Sequence, residues 1–478
     1  MSGEISRQAF VRRALGGVVG AALLGSCRSV LPEAASQGPD WNALDGMVDG
    51  RVVLPSAPDF AAAKGVFNTR FAGSAPLAVV SVTSVADVQK AMGFAGQNGL
   101  GVSARSGGHS YIGASTADGV MVIDLRQLPG GTTLDPISGL VTISPAADLD
   151  SVQTILAAQG RSIPSGSCPT VGVAGLALGG GLGSDARSAG LTCDALVSAS
   201  VVLPSGDVVT ASAGDHDDLF WALRGGGGGN CGVVTSLTFR TFPTTDRDVV
   251  TLGYPPASAA QVIAGWHNWL SAADRAVWGM VNVTVGGGPS RCTVILATPP
   301  GTGQGLAGAL NAAVGVAPSS TSIRTKNRLD FIHYFEGGAQ ARVPRQFTAG
   351  SDVIGEMNAA AANSIIAATS AWPTAAGSAT AVIESLSGAV NDVAPADSAF
   401  PWRQSAASVQ WYTEAPFDVA STWLADAHTA VAASSVGGYI NYVEPGQPLS
   451  RYLGPNLGRF DAVRQAYDAG GLMRSGIA

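Results

Sequence analysis

The chain has 478 residues, 63 of them glycine, with 46% apolar and only 13% charged residues, which excludes a disordered or fibrous class. Its length suits two or three domains. The net charge of −7 and the lack of any Lys/Arg run argue against nucleic acid as a partner.

The N-terminus reads as an address. Ser6-Arg7-Gln8-Ala9-Phe10-Val11-Arg12-Arg13 is basic, and an apolar run from Ala14 to Leu24 follows. That run is shorter than the ~20 residues of a membrane span and typical of a signal-peptide core. It ends in Leu24-Gly25-Ser26-Cys27, which resembles a bacterial lipobox and would make Cys27 a lipid anchor. Ser6–Val11 also resembles a twin-arginine export signal, with Gln8 in place of the second Arg. The expected location is outside the cytoplasm, as a cell-surface lipoprotein or a secreted protein. Cys168, Cys193, Cys231 and Cys292 show no CxxC spacing, so no metal site is expected, and spacing assigns no disulfide.

Residues 28–45, rich in Ser, Ala, Pro and Gly, read as a tether that closes a leader of residues 1–45. Leu77–Val82 is β-branched, and Ser84 caps a helical pattern running to Gly96. A strand over Gly101–Ala104 leads into Arg105-Ser106-Gly107-Gly108-His109-Ser110-Tyr111. Paired glycines let a bulky polar group approach the amides, and Arg105 offers fixed charge beside them. His109 would be held against whatever the loop cradles. By itself the stretch equally describes a glycine-rich turn with a solvated Arg and a half-buried His.

Val120–Leu125 and Leu140–Ile143 read as strands, and Leu149–Gln159 as an amphipathic helix ended by Gly160. Pro164–Gly183 then packs many glycines between apolar residues, which would destabilise a helix or strand interior. Such a stretch suits backbone lying flat against a planar or polyphosphate ligand, or against other backbone. Gly181-Leu182-Gly183-Ser184-Asp185-Ala186 lacks the third glycine of the dinucleotide fingerprint, so a standard Rossmann NAD site is rejected. A strand, turn and strand over Val197–Thr210 and a short helix over Asp217–Arg224 come next. Gly225–Gly229 follows as a flexible loop or as backbone pressed on a ligand, and Asn230–Thr235 opens a strand.

Residues 46–245 therefore read as an α/β or α+β nucleotide-binding domain. Over residues 246–425 the texture changes. Val277–Val285, Thr293–Ala297 and Ala379–Leu386 are expected strands; Ser258–Ala273 and Met357–Ser370 are expected helices. This predicts an antiparallel sheet covered by helices, a separate substrate domain. In the C-terminal segment 426–478, Gly438–Val443 is expected as a strand and Arg451–Tyr467 as helical.

Five motifs now stand in order: Arg105–Tyr111 (RSGGHSY), Gly166–Gly183 (GSCPTVGVAGLALGGGLG), Asp218–Thr235 (DLFWALRGGGGGNCGVVT), Tyr439–Val443 (YINYV) and Tyr452–Asn456 (YLGPN). Together they resemble the berberine bridge enzyme-like branch of the vanillyl-alcohol oxidase flavoprotein superfamily. The resemblance implies an α+β fold, with a two-part PCMH-type FAD-binding domain and a separate substrate domain. It implies FAD bound twice, through His109 to the 8α-methyl and through Cys168 to C6 of the ring. Arg105, Ser106, Gly107, Gly108 and Ser110 would meet the pyrophosphate. Gly172, Gly175, Gly179, Gly180, Gly181 and Gly183 would let backbone pass along the cofactor. Gly232, Val233, Val234, Tyr439, Asn441 and Tyr442 would complete that site. Val171 stands at the family's oxygen gate, where valine goes with oxidase behaviour.

In the family a Tyr of the Tyr-x-Asn-Tyr element commonly acts as base, so Tyr439 and Tyr442 are candidates. On a strand both reach one site only if the backbone bends. Gln410 and Tyr412 match a substrate-facing strand. Trp402 stands where the family usually has His, and Ser408 where a plant subgroup has Lys. The implied activity is that of an exported FAD-dependent oxidase, a monomer taking a hydroxyl-bearing small molecule, foremost a carbohydrate or secondary alcohol, and O₂. The alternatives are an oxidase or oxidative cyclase of a specialised metabolite, or a flavin-binding surface lipoprotein without turnover.

Overall fold

The computed structural model describes residues 38–335 and 339–476. The leader up to residue 37, with Cys27, lies outside the described residues. Residues from Trp41 onward form a single compact unit. The helix Trp41–Met47 begins inside the stretch expected as tether, with Leu44 buried.

Three larger sheets and a two-stranded ribbon of Arg161–Ser162 with Phe242–Pro243 organise the described residues. The first has the order Arg51–Val53, Ala78–Ser81, Met121–Asp124, Val102–Arg105, its last three strands parallel. Parallel strands are covered on both faces and read as unbroken apolar runs; Met121–Asp124 is buried throughout. The helix Val85–Gln97 packs here, its first turn closed by Ser84, whose Oγ accepts from the Asp87 amide at 3.1 Å. The second sheet is antiparallel, in the order Thr132–Leu134, Leu140–Ile143, Val233–Arg240, Leu196–Val202, Val208–Ser212. Gly232, Val233 and Val234 open its central strand and are buried.

The third sheet has eight antiparallel strands: Ser320–Lys326, Arg247–Tyr254, Arg291–Thr298, Trp278–Val285, Ala379–Ser385, Ala407–Thr413, Thr348–Ile354 and Ser435–Gly437. Side chains alternate across it. Ala407, Val409 and Trp411 enter the core under the helices Ala259–Ala272, Ala359–Ser370 and Phe417–Val431, with Trp266, Trp372 and Trp423. Ser408, Gln410 and Tyr412 therefore face the other way. Direct pairing puts Glu384 across from Ser408 and from Met280, and Val382 across from Gln410 and Asn282, all on that second face.

One expected element is corrected. Gly438–Val443 is not a strand: the strand ends at Gly437, and Ile440–Tyr442 is a single 3₁₀ turn. Residues three apart on such a turn share a side. Tyr439 and Tyr442 thus meet edge to face, with centroids 4.9 Å apart. Trp402, the departure from the family pattern, anchors this segment by donating Nε1–H to the Gly438 carbonyl at 2.8 Å.

Buried ion pairs fasten the substrate sheet to the first half of the chain. Arg328 meets Asp185 at 2.7 Å and also donates to Ser162 Oγ at 2.6 Å; Arg403 meets Asp194 at 2.7 Å. Removing one partner of a buried pair leaves the other charge uncompensated. Arg328→Met is therefore expected to lower stability by about 3–5 kcal/mol, read as an earlier urea midpoint.

Candidate active site

The Arg105–Tyr111 loop leaves the strand Val102–Arg105 and lies directly on the residues after Cys168. A Cβ on Gly107 would collide with the Gly172 amide, and one on Gly172 with Ser106 and the Gly107 amide. Glycine at both positions is what lets the two motifs touch backbone to backbone. The Ser106 hydroxyl donates to the Pro145 carbonyl at 2.5 Å, and Ser110 Oγ accepts from the Ala114 amide at 3.1 Å.

Arg105 lies behind the loop. Its guanidinium is fully buried, meets Asp124 at 2.7 Å and donates to the carbonyls of Ala63 and Gly65. It shares the Asp124 carboxylate with Arg126, which lies 2.8 Å from it, and braces the loop from behind.

His109 stacks on Phe67 with centroids 4.0 Å apart, and its Nε2 lies 2.9 Å from Thr170 Oγ1. Burial pushes its pKa down to about 4, so the imidazole is neutral and nucleophilic at pH 7. Cys168 is exposed, two residues from Thr170, and none of the four described cysteines is in a disulfide.

Val171 is half-buried against the core of the second sheet, and Gly172 precedes the short helix Val173–Leu178. Gly175, on that helix, has nothing within 4 Å of a Cβ position. Gly179–Gly183 is fastened by the C-terminal turn: the Tyr439 hydroxyl accepts from the amides of Gly181 at 2.8 Å and Leu182 at 3.1 Å. Asn441 Nδ2 donates to the same hydroxyl at 2.8 Å and to the Leu176 carbonyl at 3.0 Å. The other glycine run, Gly225–Gly229, is pressed against protein at its start. Side chains at Gly225, Gly226 and Gly227 would meet Phe400, Phe460 and Ile440.

Tyr442 stacks on Tyr111 at 5.4 Å with 14° between planes, and its hydroxyl donates to Glu384 Oε2 at 3.3 Å. Gln410 Nε2 donates to the Tyr111 hydroxyl at 2.6 Å. Tyr412 stacks on Phe347 at 5.5 Å and donates to Glu414 at 3.0 Å, so its hydroxyl is turned away from Tyr442. Burial and neighbouring acids push the Tyr111 and Tyr442 pKa values up. Burial pushes that of Glu384 up to about 7, against the Tyr442 bond that lowers it. Ser408 Oγ and Asn282 Oδ1, on the same sheet face, are buried without a hydrogen-bond partner among the described residues.

Sequence reasoning missed Glu384, Tyr111 as a working ring, Asn282, Thr170, Phe67 and Phe347. An isolated Glu in the strand ATAVIES carried one readable signal, a charge where an apolar residue is expected.

No acceptor is found, among the described residues, for the backbone amides of Gly107, Gly108, His109 and Tyr111. Amides of a largely half-buried glycine loop left without a protein acceptor, beside a neutral His and an exposed thiol, fit a flavin dinucleotide.

Residues 76–212 match the family of the FAD binding domain. In sequence, the uncharacterized FAD-linked oxidoreductase YgaK of Bacillus subtilis is 27% identical over 441 residues, 89% of this chain and 95% of that protein. The chitooligosaccharide oxidase of Gibberella zeae is 42% identical over 175 residues, which span 36% of this chain and only 35% of that protein. A solved chitooligosaccharide oxidase superposes with a TM-score of 0.82 at 26% identity, covering 91% of this chain and 98% of the other. Physcomitrella patens BBE-like 1 superposes with a TM-score of 0.81 at 25% identity, covering 90% and 97%. A chain that shares this α+β, PCMH-type fold nearly from end to end and carries the FAD binding domain within it is an FAD-linked oxidoreductase, similar in structure to the chitooligosaccharide and BBE-like oxidases.

Proposed function

We propose that the protein is an oxidase of hydroxyl-bearing substrates, foremost carbohydrates or oligosaccharides, which it converts to carbonyl compounds. The observation that carries this reading is the Tyr442–Glu384 pair, a phenol hydrogen-bonded to a buried carboxylate at 3.3 Å. Bound FAD would supply the hydride acceptor and the route by which the electrons reach O₂, with H₂O₂ as the expected product.

The chain's own residues manage the proton. Tyr442, with its pKa raised, is a neutral phenol and a weak base by itself. Glu384 changes that: as Tyr442 oxygen takes the proton of the substrate hydroxyl, its own proton passes to the Glu384 carboxylate. The carbon loses hydride, the oxygen loses a proton and a C=O bond forms. Tyr439 is unsuited to this task, because its oxygen already accepts from two amides and Asn441. Gln410 fixes the Tyr111 ring on which Tyr442 stacks. The unpartnered Ser408 and Asn282 oxygens suit a substrate with several hydroxyls, which would satisfy them.

His109 and Cys168 would hold the isoalloxazine by two bonds, the imidazole nitrogen to the 8α-methyl and the thiol sulfur to C6. His109 meets Thr170, two residues after the exposed Cys168, and this closeness of the two motifs supports a double tether. We also keep an extracytoplasmic location as part of the proposal, with Cys27 as lipid anchor and the monomer as the working form; such a location suits a tethered cofactor that cannot be lost.

The reaction needs Glu384 unprotonated, and its pKa is held near 7. Flavin reduction by an oligosaccharide under anaerobic conditions is expected to rise about tenfold per pH unit below that value and level off above it. Glu384→Gln should abolish this limb. Tyr442→Phe should slow reduction by about 10²–10⁴-fold with flavin content intact. An unchanged rate in either variant would defeat the assignment. Tyr439→Phe is expected to act on stability instead, costing about 1–3 kcal/mol through two orphaned amides, as seen in thermal unfolding. His109→Ala and Cys168→Ala should each keep flavin on the chain through acid precipitation, and only the double variant should release it. Intact mass would report flavin attachment and Cys27 lipidation together.

A further inference from the structure

Behind the sheet, on the face opposite Glu384, four charged groups meet. His428 on the helix Phe417–Val431 points Nδ1 at Asp352 Oδ2, 2.7 Å away, and Nε2 at Glu444 Oε2, 2.8 Å away. Asp352 belongs to the sheet strand Thr348–Ile354; Glu444 follows Tyr442 by two residues. Arg451 completes the set, donating through Nη2 to Asp352 Oδ1 at 2.9 Å and to the Ser351 carbonyl at 2.7 Å.

Hydrogen counting settles the state of the ring. Carboxylates only accept, so both imidazole nitrogens must donate, which requires the imidazolium. Arg451 Nη2 lies 3.1 Å from Nδ1, yet its two hydrogens are already used on Asp352 and Ser351. Asp352 is saturated by four donors: His428, Arg451, Ser435 and Trp411. Two acids thus face two cations, and a neutral ring would leave one buried negative charge in excess. Burial alone would lower the His428 pKa, but the bonds to Asp352 and Glu444 hold it up to about 9.

Glu444 is itself fitted to the sheet. Its Oε1 accepts from the Ser351 amide at 3.1 Å, its own amide donates to the Tyr452 hydroxyl at 2.9 Å, and a Cβ on Gly350 would collide with its carboxylate. Ser351 also accepts from the Tyr439 amide at 2.9 Å. The turn bearing Tyr439 and Tyr442 is therefore pinned on the strand Thr348–Ile354 at both ends.

We propose that His428, as an imidazolium, is a positioning residue for Tyr442. By bridging Asp352 and Glu444 it ties the turn to the substrate sheet and holds the Tyr442 hydroxyl against Glu384 on the other face. This rests on the proton-transfer role proposed for Tyr442, but the clamp itself is testable without turnover. The titratable groups packed on His428 and its partners are Asp352, Glu444, Arg451 and Tyr452. A cleft of about 440 Å³, lined by Asp352, His428, Ser435, Gln447 and Arg451 among others, opens onto the cluster.

The test compares the flavin-loaded wild type with His428→Gln and His428→Ala. Hydrogen exchange over residues 435–449, corrected for intrinsic rates, should be at least tenfold faster in both variants at pH 7, with the rest of the chain unchanged. In the wild type the same segment should lose protection as pH rises through about 9, a step absent from the variants. Anaerobic flavin reduction should fall at least tenfold in kcat, with KM within about twofold, and imidazole entering the cleft should restore part of both losses in His428→Ala. Glu444→Gln, which keeps a neutral acceptor, should show an intermediate loosening. Unchanged exchange in the segment, or loosening spread evenly over the chain, would overturn the proposal. If no sugar or alcohol reduces the wild-type flavin, the oxidation reading fails, while the exchange measurements still decide the clamp.

Discussion

The Tyr439 hydroxyl, accepting from the amides of Gly181 and Leu182, joins two parts of the chain more than 250 residues apart in sequence. A glycine loop between apolar segments has no side chains with which to define its own course. It takes its shape from what packs on it, and here the packing element is a 3₁₀ turn near the C-terminus. The same turn delivers Tyr442 to the substrate sheet. One short element therefore shapes the glycine loop and places Tyr442 against Glu384, which is why the glycines and the tyrosines must be considered together.

The chemistry follows from where charge is buried. The sheet has one face closed by tryptophans and helices and another turned to the flavin-binding half. On the open face the buried Glu384 accepts from the Tyr442 hydroxyl, and burial holds its pKa close to neutrality. A carboxylate so poised is a usable proton acceptor at pH 7, whereas a buried phenol is not. On the closed face the opposite arrangement holds, with Asp352, Glu444, Arg451 and His428 neutralising one another. The sheet thus separates a reactive, incompletely neutralised acid from a balanced structural cluster by the thickness of one strand.

Arg105 and the glycines show how a motif can be right in place and different in reason. Arg105 stands behind the loop, where its fully buried guanidinium needs a counter-ion; Asp124 supplies one and shares it with Arg126. Gly107 and Gly172 are small because two protein backbones cross there, and Gly225–Gly227 because Phe400, Phe460 and Ile440 lie on them. Close approach was legible; its partner was not, since a missing Cβ says nothing about what fills the space.

Local patterns in the sequence determined most of the secondary structure: period-two alternation in the strands, the Ser84 cap, and the switch from a glycine-dense to a β-rich texture near residue 245. They also determined which motifs belong together, because His109, Cys168 and the Tyr-x-Asn-Tyr element carry side chains of distinctive chemistry. Tertiary structure decided the rest. Whether Tyr439 or Tyr442 handles the proton depends on whether Ile440–Tyr442 is a strand or a turn, and that is set by Ser351, Trp402 and Glu444 packing on it. Glu384 and His428 owe their states to burial and to partners distant in sequence. A pKa is a property of surroundings, and no local window of residues contains them.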